Sequence, residues 1–232
     1  MKTEIYVATH KAYTFPDIPE YIPIHVGKAL TDLDLNIQGD DTGENISNLN
    51  KSFCELTALY WMWKNSDADI IGLAHYRRYF TKNKKIISND EIVNILNQGY
   101  DVIVSKPVIL RKRKVFLQNV KTHFASNHYE KDWDIIKTII LENEPRYFLA
   151  FEEVEKKYRI SLYNMFVCRK DILDQYCSWL FKILFLYKDS VDIGNYDAYQ
   201  YRLIGFVAER LFNVYMVHNK LNLYPIATLK TD

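Results

Sequence analysis

The chain has 232 residues, of which 48% are hydrophobic and 15% aromatic, and 30 basic residues against 29 acidic ones give a formal net charge of +1. A charge so close to zero excludes a global attraction to nucleic acid, and no apolar run approaches the roughly 18 residues that a membrane-spanning helix needs. The three cysteines show no metal-site or redox spacing, so we expect buried free thiols in a reducing compartment.

The first predicted element is a strand over Glu4–Thr9, which ends in the polar tip Thr9-His10-Lys11. It does not resemble a signal peptide, because a long apolar segment is lacking. We therefore expect a cytoplasmic protein, whose only contact with a membrane would be peripheral association at the inner face of the plasma membrane. Residues 13 to 50 look irregular, since prolines, glycines and aspartates are frequent there.

A helix is predicted from Ser52, which has capping-box spacing to Glu55, to about Asn65. A buried strand over Asp69–His75 follows it. The later predicted elements are a helix over Asp90–Leu96, a strand over Tyr100–Ser105, helices over Lys131–Asn143 and Arg146–Lys157, a strand over Ser161–Cys168, helices over Asp171–Leu186 and Asn195–Val217, and a strand over Asn222–Thr228.

This order of elements predicts an α/β fold with a mainly parallel central sheet flanked by helices. Because no linker-like stretch appears, we predict a single domain over residues 1–232, with the irregular region from Val108 to His128 as the best candidate seam. Neither a dinucleotide fingerprint nor a P-loop is present. The basic run Arg111–Lys114 predicts either a solvated loop or a contact with a membrane surface or anionic glycolipid.

The strongest functional signal is the run His75-Tyr76-Arg77-Arg78, which directly follows a buried strand. In open α/β sheets, ligands bind at the carboxyl ends of the strands. The forked guanidinium group suits phosphate, so the two arginines indicate an anionic ligand. The alternative is a strand edge whose arginines pair with distant carboxylates.

The pair Asp67 and Asp69 matches the DxD pattern with which many nucleotide-sugar transferases hold a divalent cation. A metal-binding pair of this kind follows its strand, whereas this one precedes the strand and belongs at the opposite edge of the sheet. We therefore predict no metal site here. Cationic side chains after the strand could neutralise a diphosphate leaving group directly.

Two further regions carry groups that can bind hydroxyls or accept a proton. The loop from Asp40 to Ser47, which includes Asp41 and Asn45, indicates either a hydroxyl-binding site or an ordinary turn. Asp197 at the start of the last long helix could be a general base or only a charge near the helix cap. Glu209 could be a second base or the ion-pair partner of a nearby arginine.

Several longer segments together resemble one known family. In chain order they are Thr9-His-Lys11, Asp41-Thr-Gly-Glu-Asn-Ile-Ser47, Phe53-Cys-Glu-Leu-Thr57, Tyr60-Trp-Met-Trp-Lys-Asn65, Gly72-Leu-Ala-His-Tyr-Arg-Arg-Tyr-Phe80, Tyr163-Asn-Met-Phe166, Tyr176-Cys-Ser-Trp-Leu-Phe181 and Gly205-Phe-Val-Ala-Glu-Arg-Leu211. They closely resemble a domain-of-unknown-function family from bacterial capsule, exopolysaccharide and O-antigen gene clusters. Its characterised members are β-galactofuranosyltransferases.

The resemblance implies a GT-A-like fold and an inverting transfer of galactofuranose from UDP-galactofuranose to a lipid-linked or oligosaccharide acceptor, with no cofactor and no divalent metal required. The implied site has three parts. The donor would bind to Thr9, His10, Lys11, His75, Tyr76, Arg77 and Arg78; the acceptor to Asn45, Tyr163, Asn164 and Arg202; and the base would be Asp197, with Asp41 and Glu209 as the next candidates.

Two alternatives remain at this point. The chain could be a non-catalytic subunit that binds a nucleotide sugar or glycan in a polysaccharide assembly complex, or it could be a transferase, retaining or inverting, that uses another UDP-sugar. Because a pocket for a furanose and one for a pyranose differ by a few hydroxyl positions, the donor sugar does not follow from the residue pattern.

Overall fold

The computed structural model describes residues 1–230, which form two compact units. The first unit contains Met1–Lys106, Tyr163–Cys177 and the residues from Leu221 onward, and the second contains Pro107–Leu162 and Ser178–Lys220. The boundary between Lys106 and Pro107 thus lies close to Val108, the first residue of the seam that the sequence predicts.

The strands and helices are numbered in chain order. The strands are β1 (Thr3–Thr9), β2 (Tyr21–His25), β3 (Gln38–Gly39), β4 (Ile70–His75), β5 (Arg78–Lys82), β6 (Lys85–Ile86), β7 (Val102–Ser105), β8 (Val108–Ile109), β9 (Arg111–Lys112), β10 (Phe116–Leu117), β11 (Arg159–Ile160), β12 (Phe166–Arg169) and β13 (Leu223–Lys230). The helices are α1 (Asn50–Phe53), α2 (Leu56–Asn65), α3 (Asn89–Asn97), α4 (Val120–Asn127), α5 (Glu130–Asn143), α6 (Phe148–Lys156), α7 (Lys170–Ser190) and α8 (Leu203–His218).

The first unit is built on a nine-stranded sheet with the order β3-β2-β1-β4-β12-β7-β13-β5-β6. Four of the eight neighbouring pairs are parallel and four are antiparallel, so the sheet is mixed and the expectation of a mainly parallel sheet is corrected. Two of the antiparallel pairs arise because the chain re-enters this unit at the carboxyl end of β4, so that β12 runs back against β4 and β7. The other two involve β5, whose direction is reversed by the hairpin that joins it to β4.

The core of the first unit lies on the sheet and is formed by buried residues of β1, β4, β5, β7 and α3. Gly72 in β4 lies where the backbone of β12 comes closest, since a Cβ atom at this position would lie 2.7 Å from the carbonyl oxygen of Phe166. The absence of a side chain at Gly72 therefore lets β12 pair with β4 across the middle of the sheet.

The helix predicted from Ser52 is interrupted. Cys54 adopts a φ of 53°, which separates α1 from α2, and Ser52 donates its hydroxyl to the carbonyl of Leu49. The predicted capping box therefore does not form, because the carboxylate of Glu55 accepts a hydrogen bond from Asn164 instead. The predicted end of the helix at Asn65 is confirmed.

The region of residues 13 to 50, expected to be irregular, contains β2 and β3. Pro23 lies in the middle of β2, but β3 pairs with β2 only at Ile24 and His25. The missing N–H of Pro23 therefore lies outside that ladder, which is the setting in which strands tolerate proline.

The second unit consists mainly of helices. Trp133 of α5 packs between Phe124 of α4 and Phe151 of α6, with ring centroids 5.2 and 5.0 Å away. Asn213 of α8 donates its side-chain amide to the carbonyl of Ser161 and accepts the backbone N–H of the same residue. No helix within residues 1–230 is both long and apolar enough to cross a membrane.

Candidate functional site

The carboxyl ends of four adjacent parallel strands meet at one edge of the sheet, which we call the strand-end edge. Ala8 pairs with His75, Thr9 pairs with His25, and His25 pairs with Gly39. Because neighbouring strands lie about 4.8 Å apart, these four ends span roughly 14 Å. The predicted donor-binding segments after β1 and β4 are therefore neighbours, as the sequence indicates.

A tight hairpin joins β4 to β5 and presents the residues of the strongest sequence signal. His75 pairs directly with Arg78, so Tyr76 and Arg77 form the turn between them. The Tyr76 ring lies at the centre of a cluster: its centroid is 5.6 Å from the His10 ring, 5.5 Å from Lys11 Nζ and 5.1 Å from Arg77 Cζ. Three of the predicted donor-binding side chains thus surround the ring of a fourth, Tyr76.

Two more of the predicted donor-binding side chains, those of His75 and Arg78, contact the segment before β12. His75 Nε2 lies 2.6 Å from the carbonyl oxygen of Tyr163, and Arg78 Cζ lies 4.2 Å from the centroid of the Tyr163 ring. Tyr163 and Asn164 have φ values of 76° and 51°, so the strand predicted from Ser161 begins only at Phe166. Left-handed backbone at two successive non-glycine residues is strained, and such strain concentrates at functional sites.

The positive charge of this edge is not balanced by nearby acids. No carboxylate of residues 1–230 lies within 4.0 Å of the charged nitrogens of Lys11, Arg77 or Arg78. In addition, Arg77 Nε is buried and has no hydrogen-bond acceptor in that part of the chain. A buried donor without an acceptor is costly, and an anionic ligand would supply the missing partner.

The DxD pair lies where the sequence argument places it. Asp67 forms an ion pair with Lys2, and Asp69 accepts the backbone N–H of Lys2 at 2.7 Å. Both carboxylates therefore lie at the start of β1 and β4, at the edge opposite to His75. Residues 1–230 contain no group of three or more His, Cys, Asp or Glu side chains arranged to hold a metal ion.

Thr9 shapes the turn that carries Lys11. Its hydroxyl, which is buried, donates to the carbonyl of Lys11 at 2.7 Å and accepts the N–H of Lys11 at 3.3 Å. The side chain of Thr9 thus positions the cation that follows it and is not presented to solvent.

The loop that follows β3 is organised by Asp40. This carboxylate is fully buried and accepts the backbone N–H groups of Gly27 and Lys28 at 2.9 and 3.1 Å together with the hydroxyl of Ser47. Asp41 beside it is exposed, at the end of the strand-end edge.

The side chain of Asn45 is committed within the same loop. Its amide donates to the carbonyls of Asp41 and Gly43 at 3.0 and 3.1 Å, and its oxygen accepts the N–H of Ser47 at 3.1 Å. Asn45 therefore fixes the backbone that carries Asp41.

Asp40→Ala should lower the free energy of unfolding by roughly 2–4 kcal/mol, because the variant leaves two amides and one hydroxyl without their acceptor. Urea unfolding of the purified protein measures this directly. The matched control is Asp41→Ala, which removes an exposed carboxylate one residue away and should change stability by less than about 0.5 kcal/mol. Equal losses in the two variants would contradict the structural role of Asp40.

Three predicted site residues lie in the second unit. Asp197 is exposed, and its Oδ1 accepts the backbone N–H groups of Tyr199 and Gln200, both at 2.8 Å. These bonds form a turn directly before a 3-10 helix over Gln200–Arg202, so α8 begins at Leu203 and not at Asn195 as expected. The guanidinium of Arg202 is 5.5 Å from the Phe206 ring.

The segment that carries Asp197 is anchored by its neighbour. The hydroxyl of Tyr196 lies 2.9 and 3.0 Å from the two carboxylate oxygens of Asp132, which is buried. Burial raises the pKa of Asp132, while the hydrogen bond from Tyr196 lowers it.

Glu209 pairs with Arg210 at 2.7 Å, so the ion-pair alternative for this residue is confirmed. Arg210 is 3% exposed and also donates to the carbonyl of Phe206 at 2.8 Å. Burial lowers the pKa of Arg210, and the carboxylate of Glu209 opposes that shift. Removal of Glu209 would therefore leave a buried charge without its partner.

His25 at the strand-end edge, and the contact that Glu55 makes, were missed by sequence reasoning. His25 ends β2 beside Thr9 and is 3% exposed, and burial lowers its pKa. The sequence signal for this strand end is an apolar pair before a histidine. Pro23 obscured it, because proline is unusual inside a strand. Glu55 receives the Asn164 amide at 2.7 Å. Nothing in its local sequence indicates that contact, because it depends on the break at Cys54.

Comparisons with known proteins bear on this site. A family model described as a domain of unknown function (DUF4422) matches residues 4–220. The apo structure of WbbM, a bifunctional glycosyltransferase, is similar with a TM-score of 0.89 at 30% sequence identity, over 100% of this chain and 46% of that one. The chain thus spans about half the length of that structure. No curated protein sequence matches the chain.

Proposed function

The chain belongs to the DUF4422 family, and on that premise we propose that it is a glycosyltransferase with a GT-A-like fold that uses a nucleotide-sugar donor. The observation that carries the proposal is the uncompensated positive charge at the strand-end edge. The likeness to a bifunctional glycosyltransferase over the whole length of this chain supports it.

The donor in this proposal is UDP-galactofuranose. Lys11, Arg77 and Arg78 bind the diphosphate, and the buried N–H of Arg77 gains an acceptor when the phosphate arrives. The rings of Tyr76 and His10 lie beside these cations at 88° to each other, and the face of one ring stacks on the base of the nucleotide. His75 and Thr9 hold the two strand ends in place.

The reaction is an inverting transfer. A carboxylate takes the proton of the acceptor hydroxyl as that oxygen forms a bond to the anomeric carbon, and the bond from that carbon to the diphosphate breaks with its electrons going to UDP. The cations stabilise the departing diphosphate in the role that a divalent metal otherwise fills, so no metal is required.

Asp197 is the proposed base, with Asp41 and Glu209 as the next candidates. One oxygen of Asp197 is held by two backbone amides, which leaves the other available to accept a proton. Asp41 is exposed at the strand-end edge, whereas Glu209 is engaged by Arg210. The acceptor, a lipid-linked or free oligosaccharide for capsule, exopolysaccharide or O-antigen, contacts Asn45, Tyr163, Asn164 and Arg202.

The test is release of UDP by the purified protein from a panel of UDP-sugars, each with Mn²⁺ and with EDTA. We expect release from UDP-galactofuranose that EDTA does not reduce. Release from a different UDP-sugar would retain the transferase and correct the donor. Loss of UDP release in EDTA would overturn the proposal that arginines replace the metal ion. The absence of UDP release from every donor, with a matched acceptor present, would overturn the proposal that the protein is a catalyst.

A further inference from the structure

The second unit projects a short hairpin with an unusual surface. Strands β9 and β10 pair antiparallel, with Phe116 opposite Lys112 and Leu117 opposite Arg111. All seven residues from Arg111 to Leu117, which we call the basic hairpin, are exposed. Its first four residues are cations and its last three are apolar: Val115, Phe116 and Leu117 are 64%, 66% and 59% exposed.

Three consecutive apolar residues on a water-exposed strand raise the free energy of the free protein without contributing to its core. Contiguous exposed apolar residues of this kind mark sites of contact with another surface. Each cross-strand pair joins a cation to an apolar side chain, so both faces of the hairpin are amphipathic. Long cationic side chains that extend past apolar neighbours are typical of residues at a membrane interface.

The hairpin is held in a fixed shape. Leu110 at its base is buried, donates its N–H to the carbonyl of Tyr158 at 3.0 Å and accepts the N–H of Gln118 at 3.1 Å. At the tip, Val115 donates to the carbonyl of Lys112, and the two residues between them, Arg113 and Lys114, have φ values of 51° and 62°.

Turns with two successive positive φ values favour Asn-Gly, so two long cations at these positions carry a conformational cost. Arg113 and Lys114 therefore place two positive charges at the tip although neither residue type favours a positive φ. This conformational cost indicates that the charge serves a function other than the stability of the fold.

The surroundings of the basic hairpin add positive charge. The sequence from Pro107 to Tyr129 contains no aspartate or glutamate, and none of the four cations forms an ion pair within residues 1–230. Strand β11 adds the cation Arg159, and Tyr158 directly before this strand is 52% exposed. These two residues line a groove together with Ile109, Arg111, Leu117 and Lys157.

We propose that the basic hairpin docks the protein onto an anionic phospholipid bilayer. The cations from Arg111 to Lys114 and Arg159 lie against the headgroups, and the side chains of Val115, Phe116 and Leu117 enter the interfacial layer. Charge complementarity selects this partner over a second copy of the chain, whose hairpin would bring the same charges together. Two of the three exposed apolar side chains, Val115 and Leu117, are aliphatic and offer a nucleobase no ring on which to stack, which favours lipid over nucleic acid.

The test is co-sedimentation of the full chain with vesicles of phosphatidylcholine alone or with about one-third phosphatidylglycerol. We expect wild type to bind the anionic vesicles at least about tenfold more tightly than the neutral ones. The double change Arg113→Asn with Lys114→Gly should weaken that binding about tenfold or more while leaving the melting temperature unchanged or higher, because it gives the turn the residues it favours.

A second variant and a control separate the contributions. Phe116→Ser should reduce the binding that persists at high salt, where headgroup attraction is screened. The control is Lys84→Gly with Lys85→Ser in the β5–β6 hairpin, where Asn83 and Lys84 also have positive φ. We expect this control to bind vesicles like wild type.

Three results would overturn the proposal. The first is equal binding to neutral and anionic vesicles, and the second is full binding by the turn variant. The third is that the wild type prefers self-association or single-stranded RNA to anionic vesicles and that the turn variant loses this preference. That result would assign the hairpin to a second copy of the chain or to nucleic acid. Because no donor is present in the assay, its outcome is separate from that of the UDP-release experiment.

Discussion

Arg77→Ala is expected to lower kcat/KM for the nucleotide-sugar donor by about 100-fold or more, because a charge-assisted hydrogen bond to phosphate contributes about 1.5–3 kcal/mol and a guanidinium can make two. The same variant should melt at the wild-type temperature or slightly above it. The reason is that Arg77 Nε is buried without an acceptor in residues 1–230, so its removal relieves the free protein of an unfavourable group.

Two measurements check this expectation. Steady-state kinetics gives the loss in kcat/KM, and thermal unfolding with and without UDP gives the ligand-induced shift, which should be large for wild type and nearly absent for Arg77→Ala. Arg77→Lys should recover only a small part of the activity, since an ammonium group lacks the fork that binds two phosphate oxygens.

The matched control is Lys85→Ala, which removes an exposed cation from β6, the strand hydrogen-bonded to the far end of β5. This variant should retain wild-type kinetics and the full stabilisation by UDP. An equal loss of activity in Lys85→Ala and Arg77→Ala would show that general charge, and not the strand-end edge, attracts the donor. A normal UDP shift in Arg77→Ala would remove Arg77 from the donor site.

The second large effect concerns the proposed base. Asp197→Asn should lower kcat by about 10²–10⁴-fold, the range expected for loss of a general base. The asparagine keeps an oxygen that can accept the N–H groups of Tyr199 and Gln200, so the turn before the 3-10 helix and the fold should persist. Stabilisation by UDP should also persist, because no donor contact is removed.

Comparison with the other two carboxylates separates chemistry from structure. Glu209→Gln should lower the melting temperature, because it leaves the buried Arg210 without its ionic partner. Asp41→Asn changes an exposed group and should leave stability unchanged. Near-normal turnover in Asp197→Asn together with a loss in Asp41→Asn at wild-type stability would transfer the role to Asp41.

The strand ends that form the site could be predicted from sequence because their signal is local. A buried apolar run that stops at a histidine and two arginines identifies both β4 and the side chains it presents. The pairing of β1 with β4 then follows from the rule that parallel strands align their carboxyl ends. The position of Asp67 and Asp69 at the opposite edge followed from their order relative to β4, and their contacts with Lys2 confirm it.

The features that sequence reasoning missed depend on contacts between distant segments. The left-handed conformations of Cys54 and Tyr163 are not favoured by either residue type, and no neighbouring residue indicates them. They occur where Glu55 meets Asn164 and where His75 meets the carbonyl of Tyr163, contacts that span 109 and 88 positions. Helix and strand propensities contain no information about such pairs, so the start of β12 was placed too early and the break before α2 was not predicted.

The position of β13 in the sheet has a consequence for the nascent protein. Translation delivers this strand after every other strand of the sheet, yet it lies in the interior, between β7 and β5. Until it emerges from the ribosome, the facing edges of β7 and β5 have no ladder partner and are open to pairing with other chains. Because Lys230 pairs with Arg78, the strand of this sheet that comes last in the sequence also fixes the backbone of an arginine proposed to bind the diphosphate. The cationic site therefore reaches its final geometry late in folding, after the chain that surrounds it has been made.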